Sequence, residues 1–193
     1  HETLENYVTV EIFSKLSAEQ KRVLSALSIF REPVKLAALA QQGLNTDELD
    51  SLVESGLARQ ADADTYDVHD LIREFLLRSL SPTLREEFHG KCVDWYQKQS
   101  ASHELRIELV YHSIKSSQFE AASDIIVNEG RQLVSQGYME LLGLIEQIQT
   151  DDLASNVVVR MAQIQGEILA LLGRLNEAEE VLNTTLERAQ STA

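Results

Sequence analysis

His69 and Asp70 are the two residues whose types and setting could do chemistry in this chain. They sit within Tyr66-Asp67-Val68-His69-Asp70-Leu71-Ile72-Arg73-Glu74-Phe75, which reads as the end of a strand running directly into a helix. Tyr66 and Val68 alternate with Thr65, Asp67 and His69, so one face is predicted apolar and the other polar. His69 then points away from the core that Tyr66 and Val68 help to build. Asp70 suits an N-cap, its carboxylate accepting from the first free N–H groups. Leu71, Ile72, Phe75 and Leu76 supply the buried stripe of the helix. A histidine held outward at a rigid junction is placed as a sensing group, and equally as an ordinary exposed residue ending a strand.

Other reactive types lack the company that chemistry needs. His89-x-x-Cys92 has metal-ligand spacing on a helix, with His103 and His112 further on. A zinc site calls for a second paired motif, and none exists. Cys92 shares a stripe with Phe88 and Trp95, so core packing is the reading. No Gly-x-x-x-x-Gly-Lys-Ser/Thr loop and no Gly-x-Ser-x-Gly elbow is present. The chain by itself is therefore expected to have no enzyme activity, no metal and no cofactor. Arg73 is expected to pair at the surface with Glu74 or Asp70, which contributes little.

Seventeen basic against 31 acidic residues give a formal charge of −14. That sum repels phosphate, so neither nucleic acid nor an anionic membrane is an expected partner. A single cysteine excludes an internal disulfide and suggests a reducing, cytoplasmic setting. No apolar run approaches about 20 residues and nothing resembles a signal peptide. The chain opens on His1, which reads as a piece excised from a longer protein.

These residues must be positioned by a mainly helical fold, as 8 Gly and 2 Pro suggest. Residues 1–16, with Tyr7 to Phe13 as a short strand or part of a helix, read as a connection from whatever precedes. Ser17-x-x-Gln20 is a capping box opening a helix with Val23, Leu24, Leu27 and Phe30 on its apolar face. Pro33 breaks it and opens a second helix through Leu36 and Leu39, closed near Gly43. Asn45-x-x-Glu48 reads as another capping box, with Leu44 and Leu49 as a staple. That third helix ends at Gly56. Leu57 to Gln60 and Thr65 to His69 form a hairpin about residues 61–64. Three helices and a β-hairpin over residues 17–80 make a winged-helix pattern. Ser81 and Pro82 open a linker helix with Leu84, Phe88, Cys92, Trp95 and Tyr96 on one stripe, in a linker region of residues 81–102.

Residues 103–193 are predicted to form an α-α superhelix of tetratricopeptide-like repeats. Gly166, Leu169, Gly173, Ala178 and Leu182 match that repeat's small and large positions, although Thr185 stands where Ala is usual. Ser116-Ser117-Gln118-Phe119-Glu120-Ala121 echoes Gly173-Arg174-Leu175-Asn176-Glu177-Ala178, and an irregular helical pair is expected between. The first helix of the clearest pair runs from about Val157 to Leu172 and exposes Arg160, Gln163 and Glu167.

Val68-His69-Asp70-Leu71-Ile72-Arg73 resembles the Met-His-Asp signature that closes the winged-helix region of STAND NTPases, the signal-transduction ATPases that include NB-ARC proteins and the maltotriose-responsive activators. Val68 replaces Met. Ser28 to Val34 also resembles a segment of that region, and the order winged helix, linker helix, helical repeats matches over most of the chain. The resemblance implies that His69, beside Asp70, senses the β-phosphate of ADP and holds a closed state. It implies an NTPase domain preceding the chain in cis, with ADP or ATP as cofactor of the full-length protein. It also implies a protein or small-molecule inducer on the repeats, at Arg160, Gln163 and Glu167, in signal transduction or transcription regulation.

Two other functions are open to the same residues. One is a protein-interaction scaffold without an NTPase. The other, a DNA-binding transcription factor, conflicts with the charges. Thr46 to Ser55, which would enter the major groove, holds four acids and no Lys or Arg, and the wing tip adds Asp62 and Asp64.

Overall fold

A computed structural model describes residues 13–99 and 102–191. The expected connection over residues 1–16 lies mostly outside them; a 3₁₀ turn at Phe13–Lys15 is its described part. The chain divides into two compact units, His1–Trp95 and Tyr96–Ala193.

Among the described residues of the first unit, α1 (Ala18–Ile29) follows that turn. The capping box is present in full: the Gln20 amide donates to Ser17 Oγ and Gln20 Oε1 accepts from the Ser17 amide, both at 3.0 Å. Val23, Leu24, Leu27 and Phe30 are buried as the periodicity predicts. The next element departs from the sequence reading. Pro33 opens no helix; Val34–Lys35 forms a short strand, β1, before α2 (Leu36–Gln41) and α3 (Glu48–Glu54). Its partner lies thirty residues on, where no local pattern could announce it. The second expected capping box is absent as well. Asn45 Oδ1 accepts instead from the Asp47 amide at 3.1 Å, a side-chain turn that delays the helix.

Strands β2 (Ala58–Asp62) and β3 (Thr65–Val68) make the expected hairpin, with a register irregularity between Gln60 and Asp62. The sheet order is β1-β3-β2, so β3 is central. It pairs antiparallel on both sides, Val34 with Tyr66 and Arg59 with Asp67. Helix α4 (Asp70–Ser79) follows at once, and α1 packs against α3, α4 and β3. In α5 (Pro82–Tyr96), Ser81 Oγ accepts from the Leu84 amide at 3.3 Å, as the Ser-Pro start predicts. Phe88, His89, Cys92 and Val93 are its buried residues, and Gln42 Nε2 lies 3.7 Å from Cys92 Sγ.

The second unit holds α6 (His103–Lys115), α7 (Phe119–Ser135), α8 (Leu141–Ile145), α9 (Ser155–Leu171) and α10 (Leu175–Ser191). Ile107, Val110, Ile126, Leu133, Ile164 and Ile168 lie in its core. Two antiparallel pairs, α6 with α7 and α9 with α10, are joined through α8. The irregular helical pair expected between the repeats is thus a single five-residue helix with turns. Its approach is anchored where Tyr138 donates to Glu104 at 2.6 Å, a bond that holds the Glu104 carboxyl at about 2.

The echo between the two pairs is real but shifted by one residue. The turn residue matching Gly173 (φ +75°) is Ser117 (φ +60°), not Ser116. The amides of Gln118 and Arg174 donate to Ser113 and Leu169 carbonyls, each at 2.8 Å, so the two turns share one closure. Ala122, rather than Ala121, is therefore the counterpart of Ala178, and both are buried.

Gly166 sets how closely α9 and α10 approach. A Cβ there would sit 3.3 Å from Leu182 side-chain atoms. Gly166→Val should destabilise the chain by about 1–3 kcal/mol through overpacking. Gly143→Ala, where a Cβ meets nothing within 4 Å, should not destabilise it. Chemical denaturation of the two variants checks the contrast.

Candidate functional site

The candidate site is the junction of β3 and α4. His69, not Asp70, is the N-cap: its backbone is extended (φ −63°, ψ 140°), and Nδ1 accepts from the Leu71 amide at 3.5 Å. Asp70 is the first helical residue, where its charge still complements the positive end of the helix. The cap passes to His69 because its backbone is the last extended one and its ring nitrogen reaches the second turn amide.

This use of Nδ1 favours one tautomer of the neutral imidazole. A nitrogen that accepts carries no proton, so in the neutral ring the proton is on Nε2. His69 is exposed, and its remaining polar atom is thus an N–H donor directed to solvent. Asp70 is exposed beside it. Leu71, expected in the buried stripe, is 53% exposed, because the helix turns its Leu76 side inward. Phe75 is half-buried and meets Phe13 edge-on at 5.7 Å.

The polar face predicted for β3 is not solvated. Asp67 is buried with Tyr66 and Val68, its side chain 5% exposed. Three residues donate to it. Arg59 donates to Oδ2 from Nε at 3.1 Å and from Nη2 at 2.5 Å. The Val68 amide donates to Oδ1 at 2.8 Å, and Arg73 Nη2 donates to the same oxygen. Burial pushes the Asp67 carboxyl up, but the Arg59 hydrogen bond, the Val68 amide and the charges of Arg73 and Arg59 outweigh it and hold it below the usual aspartate value. Arg73 also donates to the Ser28 carbonyl near the end of α1 at 3.4 Å. It does not pair with Glu74 or Asp70 as the sequence suggested; Glu74 pairs with Arg78 instead. Alternation along β3 places Asp67 outward and so hides it. The signal that could have found it is its opposition to Arg59 once the hairpin is registered, an opposite-charge cross-strand pair.

On the second unit, Arg160, Gln163 and Glu167 are all exposed and share one face of α9. That face adjoins α7: Arg160 Nη2 donates to the Val127 carbonyl at 3.1 Å, and Arg131 grips Glu167 with its shortest contact at 2.6 Å. His89 and Cys92 are buried in α5 among Phe88 and Val93.

No protein-family model matches the chain, and no curated protein does. Among solved structures, the chain is similar to a Signal Transduction ATPase with Numerous Domains protein with a tetratricopeptide repeat sensor from Pyrococcus horikoshii. The TM-score is 0.62 at 21% identity, over 97% of this chain and 34% of that one. The chain thus spans about a third of that protein's length. At this identity the likeness is one of fold: a mainly helical chain with a small three-stranded sheet, ending in helical repeats. Among the described residues, no helix is long and apolar enough to cross a membrane.

Proposed function

We propose that this chain is the regulatory and sensor part of a STAND-type ATPase. In this reading residues 17–80 act as a winged-helix lid on a nucleotide domain in cis, residues 81–102 link, and residues 103–193 begin the sensor array. One observation carries it: His69 caps α4 through Nδ1 and is exposed, which leaves Nε2 as the side-chain nitrogen open to a partner at the N-terminus of α4. A donor of that kind suits a phosphate oxygen of ADP, and Leu71 exposed beside it suits a surface that another domain covers. Asp70 is assigned no direct phosphate contact; its carboxylate serves the helix end.

The chain itself is assigned no catalysis, since the nucleotide and its metal would belong to the preceding domain. Duplex DNA is disfavoured, because α3 with its N-cap carries Asp47, Glu48, Asp50 and Glu54 against no basic residue. Function in the cytoplasm is part of the same proposal. The reading is tested by ADP titration of the full-length protein with and without His69→Ala.

The exposed face of α9 is the proposed surface for a protein or small-molecule inducer. Arg160 and Gln163 are its exposed donors, and Glu167 is shared with Arg131. Arg160→Glu should weaken the partner's binding by about tenfold, the effect of losing one well-placed interface arginine. Thermal unfolding should change little, because the side chain is exposed and gives up only a surface bond to the Val127 carbonyl. Titration calorimetry with the identified inducer checks this, and unchanged affinity would place the surface elsewhere.

A further inference from the structure

Residues 67–73 form a closed ring around His69. At one end Asp67 Oδ1 accepts from the Val68 amide and from Arg73 Nη2. At the other, the Ile72 and Arg73 amides donate to the His69 carbonyl, each at 2.9 Å. The Arg73 side chain thus runs back from the first turn of α4 to the residue two before His69. Every backbone torsion that sets the direction of the imidazole lies inside this ring. Arg73 is 15% exposed and Asp67 5%, so the closure is shielded from water and from screening. The bond from Arg73 to the Ser28 carbonyl ties the ring to α1 as well. Arg59 lies outside it: its side chain is 64% exposed and it reaches the opposite carboxylate oxygen.

We propose that the Asp67–Arg73 clasp is a positioning device for His69, holding Nδ1 on the Leu71 amide so that Nε2–H faces outward. Neither residue touches the anion; both act through the histidine. The two arginines therefore have different jobs. Arg73 closes the ring, while Arg59 neutralises the carboxylate from outside.

This inference rests on reading His69 as the group that meets an anion, but its test needs no nucleotide, so the two can fail separately. The imidazole ¹⁵N shifts of His69 and amide exchange at Leu71 are measured in the unliganded chain, for wild type, Asp67→Asn, Arg73→Gln and Arg59→Ala. Wild type should show Nδ1 as acceptor and Nε2 protonated. Asp67→Asn and Arg73→Gln should each speed Leu71 exchange by about fivefold, the loss expected for a cap bond of about 1 kcal/mol. Their His69 shifts should move toward those of a free imidazole, while buried α1 resonances stay in place. Arg59→Ala should leave both readouts unchanged. A merely structural pair would lower the unfolding temperature without moving His69 in the folded state. Unchanged His69 and Leu71 signals in either folded ring variant overturn the proposal. Should both variants fail to fold, wild type still decides, since a ring protonated on Nδ1 overturns the proposal as well.

Discussion

Asp67→Ala should destabilise the first unit by about 3–5 kcal/mol, the cost of removing one partner from a buried ion pair. Arg73 is left 15% exposed with its charge uncompensated, holding only the Ser28 carbonyl at 3.4 Å. The Val68 amide loses its acceptor in the same step. Arg59→Ala should cost far less, since an exposed arginine gains little from a pair that water already competes for. The pH dependence follows from the direction of the Asp67 shift. Its carboxyl lies below the ordinary aspartate value of 3.8 when folded. The stability it contributes is therefore full above that value and is lost as the pH falls through the lower folded one. Urea unfolding of wild type and Asp67→Ala should differ most near neutral pH and converge in strong acid. A gap that stays constant into strong acid would mean that the carboxylate charge is not what stabilises the fold.

How much of this was legible in the sequence depends on whether the deciding contact was local. The Ser17–Gln20 box, the buried face of α1 and the Ser81-Pro82 start all involve residues within about two helical turns, and all stand as read. Gly166 and Leu182 lie farther apart, but the repeat pattern encodes their meeting, and they meet. The β1 strand was not legible, because Val34 and Lys35 become a strand only through Tyr66 and Thr65. A two-residue strand has no period of its own.

The candidate site divides in the same way. His69 was placed outward on the alternation of β3, and it is outward. The same alternation failed at Asp67. A central strand with a helix starting directly after it can bury both faces, provided that a charge on the covered face is paired. Residue preference points to Asp70 as the cap, since Asp outranks His there. Chain geometry gives the position to the last extended residue, and that is His69. Periodicity places Leu71 in the core, yet it is exposed beside His69, on the surface that the proposed lid would present.

His69→Ala carries the largest functional effect expected of any single change here. The bond from a neutral N–H to a phosphate oxygen is charge-assisted and contributes about 1.5–3 kcal/mol. In the lid reading, its loss should weaken ADP binding by about ten- to a hundredfold. ADP can favour a closed state only through its differential affinity for that state, so the same loss shifts the population toward the open one. The variant should then be partly active without inducer. The isolated chain should stay folded, since the side chain is exposed and gives up only its cap bond.

Calorimetric titration of ADP into the full-length protein, wild type against His69→Ala, tests the central claim most directly. The lid reading predicts that the dissociation constant rises by about ten- to a hundredfold, accompanied by ATPase activity or assembly without inducer. Equal ADP affinity in the two proteins, with inducer dependence intact, would contradict it and leave His69 as a helix cap.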